Sequence, residues 1–280
     1  MKKLWVSFLC VFITSLPGFS QDTTDTESWQ KEGNISFNMT QSKFDNYIQG
    51  GENTFAWQTG LYIQFLKKED NYHIVHSGKL GYGRSKIGNR AARKTIDEIK
   101  FESVYTQQLT PLVNPFISAT GETQFTAGYD YSNEKTELSN FLDPAFFRES
   151  IGVNYNPNDV FKARIGFSSK QTVTSDHPAP FADDPSTDKI EKTKIEFGME
   201  SVIDVNKKIT KTSKIISKLE IFSNMQRFDE TDVRWDTELT AEVTKYINFT
   251  MNIQLLYDKT ISSKRQIKEM MGVGISYSLF

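Results

Sequence analysis

Short segments in which apolar and polar residues alternate recur along this chain, and they constrain its fold more than any other feature. In the clearest of them, 249–257, every odd position is apolar or aromatic, whereas 250, 252 and 254 are Thr, Asn and Gln. A period of two places successive side chains on opposite faces of a β-strand. The pattern predicts twelve strands, near residues 29–40, 54–66, 72–84, 96–107, 114–123, 146–155, 160–168, 193–205, 213–222, 234–243, 247–257 and 270–280.

The connections between these segments alternate between long and short. Residues 124–145 and 169–192 form long connections, whereas 67–71 and 156–159 are short turns. Short periplasmic turns and longer external loops are typical of outer-membrane barrels. The sequence therefore predicts an all-β chain: a transmembrane antiparallel up-and-down β-barrel of about twelve strands (range about 10–14) over residues 29–280. A secreted β-sandwich is the alternative, although it does not require this alternation.

The N-terminal residues have the features of an export signal. Lys2 and Lys3 precede an apolar run from Leu4 to Leu16, and small residues follow up to Ser20. This arrangement predicts a signal peptide over 1–20, cleaved between Ser20 and Gln21, and a flexible polar leader over 21–28. The alternative, a retained anchor, is disfavoured because a spanning helix needs about 20 apolar residues. The predicted location is the cell outer membrane.

The C-terminal strand ends in a pattern typical of exported barrels. Phe280 is the last residue, and Gly274, Tyr277 and Leu279 precede it at the spacing of a barrel-insertion signal. The predicted partners are therefore the outer-membrane lipids and the barrel-insertion machinery. A formal net charge of −2 gives no electrostatic case for binding nucleic acid.

Several sequence motifs resemble those of a known family. The first of these segments, 29–57, contains Trp29, Gly33, Gly50-Gly51 and Asn53. The later motifs include GYDY (128–131), FLDPAF (141–146), YNPND (155–159), KLEIFSN (218–224) and KEMMGVGISYSLF (268–280). In these motifs the chain resembles an uncharacterised β-barrel family of Bacteroidetes-type outer membranes, known only as a domain of unknown function. The usual tryptophan before the double glycine is replaced by Tyr47-Ile48. The resemblance implies fold and location, since the family has no established activity to transfer.

The polar faces of the predicted strands carry many charges. Acidic and basic residues share these faces, and the lumen-lining candidates are Lys79, Lys100, Glu102, Lys162, Arg164, Glu196, Glu200, Lys218, Glu220, Asp236, Glu238 and Glu242. One interpretation is a small channel or uptake pore for a small polar solute, guided by lumen charges. The other is an occluded structural or envelope-assembly barrel that acts with a protein or lipid partner, in which opposite charges pair across the lumen.

A membrane-embedded hydrolase is a third hypothesis, and the sequence gives it little support. His76 and Ser77 are adjacent in a strand and therefore point to opposite faces. Asp176-His177 lies in a long loop without a recognisable nucleophile partner. We therefore predict no enzyme activity, no catalytic residues, no cofactor and no metal. An acidic loop (181–191) and a basic loop (84–94) are interpreted as solvated segments, with calcium and lipid phosphate as the alternatives.

Overall fold

The computed structural model describes residues 29–46, 48, 50–131, 136–228 and 230–280. The predicted signal peptide (1–20) and leader (21–28) lie outside the described residues. The described residues form fourteen strands, and their bounds are β1 Gln30–Ser42, β2 Thr54–Lys68, β3 Tyr72–Ile87, β4 Arg93–Gln107, β5 Val113–Thr123, β6 Gly128–Asp130, β7 Thr136–Ser139, β8 Ala145–Tyr155, β9 Phe161–Val173, β10 Thr193–Lys208, β11 Ser213–Asn224, β12 Thr231–Glu242, β13 Ile247–Tyr257 and β14 Gln266–Ser278.

Twelve of these strands form a closed antiparallel barrel. Its order is β1-β14-β13-β12-β11-β10-β9-β8-β5-β4-β3-β2, so each strand pairs with its neighbours in the chain and β14 closes onto β1. Closure satisfies the strand edges that an open sheet would leave exposed. The prediction of an antiparallel barrel of about twelve strands is confirmed, and all twelve predicted segments overlap barrel strands.

The remaining two strands form a small hairpin that the sequence analysis did not predict. Strands β6 and β7 pair with each other in a separate two-stranded sheet between β5 and β8. Each is too short to show a period-two pattern, and this part of the chain was predicted to be a loop. The long connection 124–145 therefore contains a β-hairpin.

The outer wall of the barrel is apolar. Phe167 at the middle of β9 is 60% exposed and Phe197 on the adjacent β10 is 59% exposed, because both point away from the interior. His76 also points outward and stacks between Trp29 (5.7 Å) and Phe101 (6.4 Å). Aromatic rings at this position are typical of the girdles of membrane barrels.

Side chains organise two of the short turns. Asn114 accepts hydrogen bonds from the backbone N–H groups of Leu109 and Thr110 (2.6 and 2.9 Å). Asn158 similarly accepts bonds from the N–H groups of Val160 and Phe161 (both 2.9 Å). Such asparagine caps terminate a strand by replacing ladder bonds, as expected for turn-forming side chains.

One predicted loop is shorter than expected. Most of the basic segment 84–94 is strand, because β3 continues to Ile87 and β4 begins at Arg93. Arg84 donates to the carbonyl oxygen of Ala92 (2.9 Å), which ties the extended strand ends together. No helix among the described residues is long and apolar enough to cross a membrane.

Candidate functional site

The interior of the barrel contains three clusters of ion pairs. Residues paired directly across neighbouring strands share a face of the sheet. The pairs Lys79–Lys100 and Asp236–Gln254 are two examples, and their side chains point inward. A contact between strands that are not neighbours in the barrel has to cross its interior.

The central cluster is built around Glu102 on β4. Its carboxylate accepts hydrogen bonds from Arg164 on β9 (2.6 Å) and from Lys218 on β11 (2.6 Å). Lys218 also lies 3.3 Å from Glu220, which in turn contacts Lys100 on β4 (3.1 Å). Neither β9 nor β11 is a neighbour of β4. These bonds therefore cross the barrel interior and connect opposite walls.

The second cluster is built around Arg234 on β12. Its guanidinium contacts Glu122 on β5 (2.6 Å), Glu98 on β4 (3.3 Å) and Asp236 on its own strand (2.7 Å). Lys79 on β3 completes the group at 3.2 Å from Glu98. The planar guanidinium can donate hydrogen bonds in fixed directions to several carboxylates at once. A lysine ammonium lacks this fixed planar geometry. This cluster spans the interior beside the first.

The third cluster lies towards the long loops. Lys170 on β9 contacts Glu196 (3.5 Å), Asp232 on β12 (2.5 Å) and Asp258, which follows β13 (3.2 Å). Beside it, Arg148 contacts Glu200 (2.9 Å). Both cations lie over the ring of Phe222, which is 1% exposed (Arg148 at 5.4 Å and Lys170 at 5.6 Å).

The structure brings most of the predicted lumen residues together. Arg164 pairs with Glu102 on β4 rather than with Glu196 or Glu200 on the adjacent strand β10. Lys162 is exposed at the short-turn end of β9, where it lies opposite Asp204. The remaining two candidates, Glu238 and Glu242, lie towards the same end of β12. Their role in solute passage stays a prediction.

Several residues of these clusters were missed by the sequence analysis. They alternate in phase with the candidates on the same or neighbouring strands, and they are Glu98, Glu122, Arg148, Lys170, Asp232, Arg234 and Asp258. The period-two pattern contains the signal that could have found all but Asp258, which lies after the end of its strand.

The predicted Asp176-His177 pair lies in an ordered contact between the two longest loops. Asp143, which precedes β8, accepts hydrogen bonds from the N–H groups of Ser175 and Asp176 (both 2.8 Å) and contacts Nδ1 of His177 (2.9 Å). Nε2 of His177 lies 3.8 Å from Glu137, a carboxylate rather than a nucleophile. We interpret this arrangement as a structural latch.

The stability that the latch contributes depends on pH, and the lowered pKa of Asp143 gives the direction of this dependence. Burial by itself raises the pKa of Asp143, but the N–H groups of Ser175 and Asp176 and the ring of His177 lower it below its usual value. A lowered pKa in the folded state contributes stability above the unfolded value of about 3.9, and this stability is lost as the pH falls through the folded pKa.

We expect Asp143→Asn to accelerate amide hydrogen exchange of residues 175–177 near neutral pH. The difference from the unmodified protein should shrink once the pH falls below about 3.9, where the carboxyl is losing its charge. Mass spectrometry of the loop peptides measures both effects. An equal difference at neutral pH and below the folded pKa would show that the charge of Asp143 has no part in the latch.

No group of three or more His, Cys, Asp or Glu side chains within the described residues is arranged to hold a metal ion.

Two family models match the chain. Residues 39–129 match "Protein of unknown function (DUF3078)", and residues 150–279 match "Protein of unknown function, DUF481". The prediction of an uncharacterised family is confirmed, whereas the link to Bacteroidetes-type membranes stays a prediction. No curated protein matches the chain.

Solved outer-membrane barrels are similar in overall architecture at low sequence identity. The translocator domain of autotransporter NalP from Neisseria meningitidis is 12% identical, with 91% of this chain and 90% of that chain covered and a TM-score of 0.40. The NanC porin is 10% identical (89% and 100% covered, TM-score 0.42). An outer membrane channel from Pseudomonas putida F1 is 10% identical (92% and 99% covered, TM-score 0.41). Because these TM-scores are low, the assignment of a closed barrel rests on the strand pairing described above.

Proposed function

We propose that this protein is an outer-membrane β-barrel with an interior closed by ion pairs, which acts together with a lipid or protein partner. The observation that carries the proposal is the set of bonds from Glu102 to Arg164 and Lys218, which connect opposite walls. An open diffusion pore for small polar solutes, the other interpretation of the sequence, requires free space at this level.

The outer wall supports the membrane location. Large apolar side chains are exposed along the outward faces of successive strands, among them Ile117, Ile151, Phe167, Phe197 and Val273. In water such a surface would be a liability, because contiguous apolar patches of this extent drive association. In a bilayer it matches the apolar band of a membrane barrel, and closure leaves few backbone groups unsatisfied.

The dimensions of the barrel are consistent with a filled interior. Eight strands enclose a space just wide enough for side chains, whereas barrels of 16–18 strands leave an aqueous channel. Twelve strands lie between these cases. Long side chains such as Arg234 and Lys100 therefore have the reach to meet partners on the opposite wall. Under this proposal the network of paired charges takes the place of a continuous passage.

Single-channel conductance in a planar bilayer tests the proposal. The refolded protein should give no steady conductance steps, whereas combined Glu102→Ala, Arg164→Ala and Lys218→Ala substitutions should produce them by removing the central cluster. Glu242→Ala, which alters an exposed inward-phase residue at the short-turn end, is the matched control. A heat-dependent gel shift verifies that each variant is folded. Steady steps from the unmodified protein would instead support the pore for small polar solutes.

A further inference from the structure

The barrel wall is incomplete where its first and last strands meet. Strands β1 and β14 pair only over Asn34–Asn38 and Gly274–Ser278. Strand β1 nevertheless continues to Ser42 in full pairing with β2, and β14 begins at Gln266 in pairing with β13. Among the described residues, 39–42 and 266–273 therefore lie outside the β1–β14 ladder. We call this region the seam gap.

Two glycines show how closely the strands approach each other at the end of the ladder. A Cβ atom added to Gly274 would collide with the side chain of Asn38 and the carbonyl oxygen of Phe37, so the strands are tightly packed there. A Cβ added to Gly272, two residues nearer the long loops, would make ordinary van der Waals contact with Cβ of Asn38 at 3.7 Å. The packing between the strands is therefore looser just beyond the last pair of the ladder than within it.

The seam gap is costly for a membrane barrel unless something polar reaches it. Backbone N–H and C=O groups left unpaired in hydrocarbon cost several kcal/mol each. The gap occupies the half of the seam nearest the long loops. With the long loops external, as is typical of outer-membrane barrels, this half faces the outer leaflet. Water or a polar headgroup in the gap would satisfy these groups, whereas hydrocarbon alone would not.

A cation without a close carboxylate lies on the inward face beside the gap. Lys79, Lys100, Arg148, Arg164, Lys170, Lys218 and Arg234 each have a carboxylate within salt-bridge distance. Lys268 on β14 lies opposite Gln254 and has no such partner among the described residues. Its ammonium group is therefore available for an anion that enters through the gap.

An apolar groove continues along the outside of the same seam. It has a volume of about 320 Å³ and is lined mainly by Ile35, Phe37, Tyr246, Ile275 and Tyr277. This volume is at the small end of the range for ligand sites, about 300–1,000 Å³, and suits one chain better than several. The seven residue steps from 268 to 275 span about 23 Å along the strand, at about 3.3 Å each.

We propose that the seam gap is a lateral entrance for an anionic amphiphile with one hydrocarbon chain. The headgroup binds Lys268 through the gap, and the chain lies along the apolar groove outside. Charge complementarity selects the headgroup, because Lys268 is a cation without a close carboxylate. The small volume of the groove, about 320 Å³, favours a single chain. The inference rests on the membrane location in the proposed function and names its lipid partner by chemical class.

Trp57 provides a local probe, since it pairs with Met39 at the edge of the gap. We would replace Trp5, Trp29 and Trp235 by phenylalanine, refold the protein into phosphatidylcholine vesicles and titrate a brominated fatty acid, which quenches tryptophan on contact. Quenching should saturate, and Lys268→Gln should weaken the apparent affinity about tenfold. Lys211→Gln, in an exposed turn, is the matched control.

Two further titrations make the inference falsifiable. The methyl ester of the brominated acid and a brominated two-chain lipid should quench without saturation, because the ester lacks the charge and the lipid has a second chain. A disulfide between Thr40→Cys and Gly272→Cys should abolish saturable binding until it is reduced.

Equal quenching by acid and ester, unchanged by Lys268→Gln and by the disulfide, would overturn the proposed entrance. Conductance steps from the unmodified protein would instead reject the closed interior and leave this binding test intact. The absence of a heat-dependent gel shift in membrane extracts would reject the membrane location on which both proposals depend.

Discussion

Replacement of Glu102 by alanine is expected to destabilise the barrel by about 3–5 kcal/mol, the cost of breaking a buried ion pair by removing one partner. Glu102 is the common acceptor for Arg164 (2.6 Å) and Lys218 (2.6 Å), so its loss leaves two charges in the interior without their closest carboxylate. Urea unfolding of the protein refolded in vesicles, followed by tryptophan fluorescence, measures the change.

Two further variants serve as controls for Glu102→Ala. Glu242→Ala, at an exposed position of β12, should change the unfolding free energy by less than about 1 kcal/mol. Replacement of Glu102, Arg164 and Lys218 together by methionine should recover much of the loss, because apolar residues of similar volume often replace a buried charged group without penalty. Equal effects of Glu102→Ala and Glu242→Ala would show that water screens the central cluster and that the interior is open.

An arginine on the outer wall is expected to have the second largest effect. Phe167 is 60% exposed at the middle of β9 and points away from the interior. Phe167→Arg should therefore cost about 2–4 kcal/mol of stability in a bilayer, the range for a cation at the membrane midplane. The same vesicle unfolding experiment reports it.

Phe167→Leu is the control, since it keeps an apolar side chain at the same place. It should cost much less than Phe167→Arg in vesicles. In detergent micelles, where an arginine can reach water more easily, the difference between the two variants should also diminish. If both variants unfold alike in vesicles, residue 167 is not in contact with lipid, and the proposed membrane location is wrong for this part of the wall.

The sequence predicts the architecture well because the barrel is assembled from local signals. Each strand carries its own alternation, as in 249–257, and each short turn carries its own breaker, such as Asn158. The predicted strand 114–123 contains the adjacent apolar residues Phe116 and Ile117, and it still alternates in direction: Phe116 is 3% exposed inside the barrel, and Ile117 faces outward at 56% exposure. Neighbouring strands in the chain are neighbours in space, so little long-range information is required.

The ion-pair partners could not be predicted in the same way. Period-two alternation indicates that Arg164 and Glu102 both point inward, but it does not give the stagger that brings β9 level with β4. The contact depends on the register of every strand between them. For the same reason the sequence does not predict the seam gap: β14 alternates regularly from Met271 to Tyr277, and the interruption at Glu269 and Met270 does not indicate which neighbouring strand is unpaired.

The uneven distribution of bonds around the wall has a mechanical consequence. Strands β8, β9, β10 and β11 carry tightly buried inward side chains, among them Ser150, Lys170, Glu200 and Phe222, whereas Thr40 and Ser42 on β1 are exposed. A barrel that is tightly packed on one side and only partly paired between two strands on the other deforms mainly at the partly paired side. Tension in the surrounding bilayer would therefore change the cross-section of this barrel mainly at β1 and β14. Its elastic response would be that of a split ring, with most of the strain at the slit.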